Sequence, residues 1–394
     1  MYVTAVLWTA FFVVNFNIAM MIPLLPFIHR TMALSPTQAG IILAAFPVAA
    51  LVGNLTLGPL IDRLGRKHFI IAGAAGCTAV FLATAAARSP LPIALGRAAT
   101  GLFMPMIGAS VYAAIADYMP PERRARTAGY VTSAAPVAFM ASMSMGMLLG
   151  GLVAWPVPLL LLALATLALC LSAAALPPTP PDALAATPLS IRSYRDRLSS
   201  LSLDGGTRLL LAAYFCWSAS VFVFLGLYPS WVVQHGLAAY GAGAIGAMLF
   251  LGEIGGLFGA LLSGRLSRAF RHPLGVCAVT ALVTAVIMLV IPAGSGLPAL
   301  QGIAYWGFAF GRDLMLALML GGAMLLVPAA QRGSLNALMN AIYQTGATLG
   351  GMASAWLYSA RPDFVGNAVV SCGLLGAAGF MLWRITRMEA QTVT

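Results

Sequence analysis

The sequence predicts an all-α membrane protein of twelve transmembrane helices in two six-helix halves. Three observations predict it. Of the 394 residues, 61% are hydrophobic and only 8% are charged, whereas soluble domains are about a quarter charged. So few charges cannot cover a water-facing surface, and the same composition excludes disorder, collagen, coiled coil and a disulfide-stapled secreted scaffold. The chain also contains twelve apolar runs of the roughly 20 residues that a helix needs to cross the hydrocarbon core. A single long polar interval divides these runs six and six.

The first six runs lie at about 3–28, 37–61, 69–88, 91–117, 125–150 and 154–176. Trp155-Pro156 marks the break between the fifth and the sixth. The opening run is too long for a signal h-region and has no basic n-region, so no cleavable signal peptide is expected. The polar interval then begins with Pro177-Pro178-Thr179-Pro180-Pro181, which cannot continue a helix. It goes on to carry Arg192, Arg195, Asp196 and Arg197. The remaining runs lie at about 208–233, 240–264, 273–292, 298–327, 333–358 and 364–386. The expected organisation is an N-terminal bundle over 1–176, a cytoplasmic linker over 177–207 and a C-terminal bundle over 208–394. Such a duplicated plan suggests a transporter built from repeats.

The 21 basic residues outnumber the ten acidic ones, giving a formal charge of +11. A nucleic-acid binder would gather such an excess on a soluble face. Here the bases sit in short clusters between apolar runs, so the expected partner is the lipid bilayer and not nucleic acid. With both termini cytoplasmic, sixteen basic residues fall on the cytoplasmic side and three, Arg30, Arg88 and Arg361, on the other. That bias satisfies the positive-inside rule and predicts a multi-pass protein of the inner (plasma) membrane. All five cysteines fall in apolar runs without metal-ligand spacing, and are expected as buried free thiols. His29, His68, His235 and His272 lie at span ends or in loops and form no triad. No P-loop is present, so ATP is not the expected energy source. We therefore expect no metal, no cofactor and no enzymatic activity.

The interval after the second run reads Gly58-Pro59-Leu60-Ile61-Asp62-Arg63-Leu64-Gly65-Arg66-Lys67. Gly58 allows close helix contact, Gly65 a tight turn, and Asp62 an anion for the positive end of a neighbouring helix. The segment resembles the signature loop of the major facilitator superfamily, G-x-L-x-D-R-x-G-R-K. A faded copy, without the aspartate, follows the eighth run at Gly259–Arg268. The fourth run contains Arg97-Ala98-Ala99-Thr100-Gly101, similar to the R-x-x-x-G motif of the proton-coupled members. The resemblance implies that Asp62 meets the start of the eleventh span and that Arg66 pairs with Asp117, latching the halves on the cytoplasmic side. It also implies that the first, fourth, seventh and tenth spans line a central cavity. The closest branch in these motifs is the drug and metabolite antiporters with twelve spans. Two features depart from it. The fifth run has glycines at 146, 150 and 151 but no Gly-Pro pair, and the first run carries no carboxylate.

Four ionisable groups fall within the runs: Arg97, Glu253, Arg312 and Asp313. An ionised group facing lipid costs roughly 2.5–3.5 kcal/mol on insertion scales, so these should face a cavity or each other. We expect them to serve proton coupling, with Asp313 as the carrier, because its span belongs to the cavity-lining set. A permanent Arg312–Glu253 salt bridge that only packs the second half is the alternative, and for Arg97 a side chain that snorkels to the surface. Neighbouring helical residues point about 100° apart, so Arg312 and Asp313 are not expected to pair. Candidate substrate contacts are Asn15, Asn17, Trp217, Tyr305, Trp306, Asn340, Tyr343 and Gln344, the last three on a polar stripe with Asn336. The expected function is proton-coupled transport of a small organic molecule by alternating access, as an exporter and as a monomer. An importer of a carboxylate metabolite or siderophore is the second reading, and a non-transporting membrane sensor or scaffold the remote one.

Overall fold

The computed structural model describes residues 1–178, 204–270, 272–326 and 332–392. Every regular element among them is helical. The first six expected spans become α1 (Tyr2–Met32), α2 (Pro36–Leu64), α3 (Arg66–Ala85), α4 (Pro90–Tyr118), the pair α5 (Pro121–Thr132) and α6 (Ala134–Leu152), and α7 (Val157–Ala174). Most of the polar interval expected as a linker, with Arg192, Arg195 and Arg197, lies outside the described residues. The chain resumes with α8 (Gly205–Leu225), the single turn α9 (Tyr228–Trp231) and a π-helical turn over Val232–Gly236. It continues through α10 (Ala242–Ala269), α11 (Pro273–Ala293), α12 (Pro298–Leu326), α13 (Arg332–Ala360) and α14 (Val365–Thr392).

Local chemistry sets these limits. Prolines stand in the first turns of α4, α5, α7 and α11, where the missing N–H has no intrahelical partner to lose. Asp204 caps α8, its Oδ1 accepting from the Thr207 N–H at 2.7 Å, as short acidic side chains do at N-caps. Two expected spans are interrupted. The fifth divides at Ser133 into α5 and α6, and the seventh passes from α8 through α9 into a π turn. Bulges of that kind leave backbone groups free to re-aim side chains.

Eleven spans among the described residues are long and apolar enough to cross a membrane. The twelfth expected one, α13, has 29 residues and the necessary length, but Asn336, Asn340, Tyr343 and Gln344 interrupt its apolar surface. The chain is thus a multi-pass membrane protein with the helical plan its hydropathy predicts.

Two compact units emerge. One comprises Met1–Leu34 and Ile41–Ile191, the other Ser35–Gly40 and Arg192–Thr394. In the first, α1 packs on α6, and α3 lies against α4 and α7. In the second, α10 packs on α12, α11 on α14, and α8 on both α13 and α14. Lipid supplies no hydrophobic drive between helices, so small residues and buried hydrogen bonds must hold them together. In the second unit Ser220 and Ser371 exchange hydroxyl-to-carbonyl bonds of 2.7 and 3.1 Å. The fully buried Asn367 donates to the Val223 carbonyl at 3.0 Å and to the Ser354 carbonyl and hydroxyl at 3.1 Å each. One amide thereby ties α8, α13 and α14. Replacing it by leucine should destabilise the protein by about 1–2 kcal/mol, given up to ~1.7 kcal/mol for the best interhelical bonds in membranes. Unfolding of the purified protein in graded detergent mixtures measures this, with Asn367→Ser expected to lie between leucine and the native residue.

Candidate functional site

The signature segment is built around one residue of unusual backbone. Gly65 has φ 92°, a left-handed conformation that a side chain would strain. Its N–H closes α2 on the Ile61 carbonyl at 3.1 Å, and α3 starts at once with Arg66. A cation at the first position of a helix faces the positive end of the dipole, and Asp117, in the last turn of α4, faces the negative end of its own. The two repelled charges meet: Arg66 Nε lies 3.0 Å from Asp117 Oδ2, with both side chains 8% exposed. Beside them Lys67 Nζ donates to the Leu176 carbonyl at 2.6 Å and the Tyr118 hydroxyl to that of Pro177 at 2.9 Å. The segment thus ties the α2–α3 turn to the ends of α4 and α7. Arg63 is exposed at the end of α2. The surroundings of Gly58 and the side chain of Asp62 lie outside the described residues, as do the side chains that open α13. The expected latch of Asp62 on that helix start falls there too.

Arg97 is buried, 6% exposed, and does not snorkel. It reaches α1, where its Nη1 donates to the Asn17 carbonyl at 3.1 Å and to Asn17 Oδ1 at 3.3 Å. Its guanidinium lies over the Phe46 ring, 4.6 Å from the centroid, a favourable arrangement for a cation. Asn15 turns its amide to the Phe11 carbonyl of its own helix, at 2.8 Å.

The densest polar group lies in the second unit, at mid-helix on α10 and α12. Arg312 binds two carboxylates with one guanidinium. Toward Glu253 it donates from Nη1 at 3.1 Å and from Nη2 at 2.7 Å. Toward Asp313 it donates from Nε and from Nη2, at 2.9 Å each. The expectation that Arg312 and Asp313 do not pair is therefore wrong. A 100° offset separates Cβ directions, but the arginine stem is long enough to fold its head back over the next residue. Glu253 takes a third bond from the Tyr305 hydroxyl at 2.5 Å. Tyr305 stacks on Tyr228 at 5.1 Å and 8°, and Tyr228 donates to Gln301 Oε1 at 3.1 Å. Glu253 is 1% exposed and Asp313 16%, counting side chains, so of the two acids only Asp313 is partly accessible.

Glycines make room for this group. A Cβ on Gly252 would collide with the Tyr305 ring, and one on Gly256 with Asp313 Oδ2 and Arg312 Nη2. Gly255 and Gly259 bring the α10 backbone against the carbonyls of Trp306 and Phe310.

The other expected contacts divide. Trp217 is buried, stacked on Tyr214 at 5.4 Å and tilted against Tyr343 at 6.1 Å, with Phe222 edge-on to Tyr343 at 5.8 Å. Arg312 and Asp313 lie near enough to act electrostatically on Tyr343. Gln344 is buried on the same helix. Trp306 and Asn340 are the more exposed of the set. Trp306 is 39% exposed and stacks on Phe310 at 5.4 Å, and Asn340 is exposed. Sequence reasoning missed Tyr214, Tyr228, Gln301 and Phe46. The three-residue spacing of Tyr214 and Trp217 was the one available signal, since it places both on one helix face.

Comparison with known proteins matches the chain to the Major Facilitator Superfamily over residues 7–351, and it belongs to that family. Its sequence is 26% identical to the uncharacterized MFS-type transporter YceJ of Bacillus subtilis, over 91% of this chain and 89% of that one. It is 27% identical to the quinolone resistance protein NorA of Staphylococcus aureus over 32% of this chain and 33% of NorA, in line with the antiporter-branch resemblance. The fold matches the crystal structure of a D-xylose–proton symporter with a TM-score of 0.75, at 14% identity over 98% of this chain and 97% of that one. The chain is thus a transporter of this family and not an enzyme.

The glycine packing generates a test. Gly256→Ala should cost about 1–3 kcal/mol of stability, the range for overpacking a close interface, and should displace the Asp313 carboxylate. Gly264→Ala, where a Cβ meets nothing within 4 Å, should leave the melting temperature within a degree or so of the native value. Thermal unfolding of the two purified variants side by side checks the contrast.

Proposed function

We propose that this member of the major facilitator superfamily is a proton-coupled secondary transporter that exports a small organic molecule across the inner membrane by alternating access. The observation that carries the proton coupling is the sharing of Arg312 between two carboxylates. With all three groups ionised, the cluster holds one uncompensated negative charge in an apolar interior. An unpaired buried charge is costly, and one bound proton removes it. Glu253 is held by three hydrogen bonds and shut from water, so the exchangeable proton belongs to Asp313. The charged and titratable groups facing that proton are Arg312, Glu253 and, across from α13, Tyr343. The Arg66–Asp117 pair and the adjoining Asp62 are the proposed gate, acting on a cytoplasmic side that also holds both termini. Trp217, Tyr343 and Gln344, with Asn15 and Asn17 of α1, are the proposed substrate contacts, and the working unit is a monomer.

Export rests on the antiporter-branch motifs and on the likeness to the quinolone resistance protein. The second reading, import with a proton, is favoured by one observation: the same fold serves a D-xylose–proton symporter, so the fold does not fix direction.

Inside-out vesicles loaded by an imposed acid-inside gradient test both readings with a fluoroquinolone as probe. The native protein should concentrate it. Asp313→Asn should still bind it, while losing uphill transport and the pH dependence of binding. Glu253→Gln should instead lower stability by about 1.5–3 kcal/mol, the range for hydrogen bonds to charged groups, since Arg312 keeps Asp313 as its counter-ion. Uphill transport by both variants refutes proton coupling through this cluster, and accumulation only in right-side-out vesicles selects import.

The gate has its own test. Asp62→Asn and Asp117→Asn should each slow transport at least tenfold, about 1.4 kcal/mol in the barrier, at near-native expression. Native rates in both variants, measured in the same vesicles, exclude a gating role.

A further inference from the structure

We infer that Arg97 and Asn17 form an anion subsite that receives the carboxylate of the transported solute. The inference rests on the transporter reading but not on its direction.

Arg97 and Arg312 are both buried cations, yet only one of them is neutralised. Arg312 has two carboxylates. Arg97 has the neutral Asn17 and the face of Phe46, and among the described residues no carboxylate bonds to it. The other acids described in the first unit are committed elsewhere: Asp117 to Arg66, and Glu122 to solvent. A buried cation without an anion is costly, so the site suits a negative charge that none of the described residues supplies.

Two hydrogen-bond donors say what kind of anion. Arg97 Nε and Asn17 Nδ2 are both buried and meet no acceptor among the described residues. The amide cannot be turned to relieve this, because Asn17 Oδ1 already accepts from Arg97 and turning would aim two donors at each other. The unmet groups are thus two N–H donors around one positive charge. Their complement is an oxyanion with two acceptor oxygens, the pairing for which a guanidinium fork is suited. Met20, Met21, Phe81 and Leu159 bound the same gap together with Thr84 and Thr100, a mainly apolar wall that suits an organic acid better than a hydrated inorganic ion. In this conformation the gap measures about 10 Å³, room for no more than about one water. The carboxylate therefore enters only as the site opens, which is what alternating access provides.

The test uses the purified full chain and matched probe pairs: benzoate, cyclohexanecarboxylate and succinate against the corresponding amides. A ligand that binds the native state raises its melting temperature. At least one carboxylate should do so at constant ionic strength while its amide does not. Arg97→Gln should weaken the response tenfold or more, as loss of one charged hydrogen-bonding partner does. Arg97→Lys, which keeps the charge without the fork, should retain part of it. Asn17→Ala should weaken it at full charge and serves if Arg97→Gln does not fold. Gly264→Ala, away from both charged groups, should leave the response intact, and because the assay reads binding without a proton gradient, failure of proton coupling and failure of this inference are separate results. No response to any carboxylate, equal responses to acids and amides, an unchanged response in Arg97→Gln and Asn17→Ala, or a response to chloride alone would each overturn the assignment.

Discussion

The second unit depends on a single guanidinium. Arg312 holds Glu253 on α10 and Asp313 on α12 with four donated bonds, and those two helices pack together around it. The contact is possible only because α10 presents glycines where any side chain would strike the Tyr305 ring, the Trp306 and Phe310 carbonyls, or Asp313 itself. Charge and packing are thus one constraint. The cluster needs the helices close to keep water from Glu253, and the helices need the cluster to satisfy charges that neither could carry alone in an apolar surrounding.

The first unit solves the same problem differently at its two polar places. At the α2–α3 turn, Arg66 and Asp117 each sit at the helix end that disfavours their charge, and pairing removes both penalties. At Arg97 no such closure exists among the described residues. Its hydrogen bonds and the Phe46 ring orient the guanidinium without neutralising it. A protein selected only for stability would place an acid or an apolar residue there, since a buried charge left without a counter-ion contributes nothing to packing. On the inference drawn above, the open valence at Arg97 serves ligand recognition, whereas the closed pair at Arg66 holds the start of α3 against the end of α4.

Much of the helical plan was legible because bilayer thickness imposes a length and an apolar composition that no soluble core demands. The breaks were not. Nothing in the fifth run marks Ser133 as the point where α5 gives way to α6, and the π turn over Val232–Gly236 lies in a stretch whose composition suits an α-helix. The intraspan charges stood out by their cost alone, which identified Arg97, Glu253, Arg312 and Asp313 as belonging together or to a ligand. Their pairing did not follow from it. Helical phase describes where Cβ atoms point, and the pairing of Arg312 with Asp313 is decided further out, by a flexible stem and by space left at Gly256. The pairing of Asn17 with Arg97 was illegible for a related reason: the two are 80 residues apart, and only the crossing of α1 and α4 brings them into contact.

The connectivity of the Arg312 cluster distinguishes its two acids. Asp313 is the neighbour of Arg312 on the same helix, so their separation survives any rigid movement of α12. Glu253 is held entirely from the other side, since both Arg312 and Tyr305 belong to α12. Moving α10 away from α12 would strip Glu253 of all three bonds at once and leave its charge buried alone. The glycine contacts resist that movement by locking the two helices at a distance where side chains cannot slide between them. On the proposed coupling, α10 and α12 would move as one body with Glu253 keeping its partners, and a change of protonation would fall on the end of the cluster that does not hold the helices together. That end is Asp313, whose side chain is partly exposed and whose ion pair lies within α12.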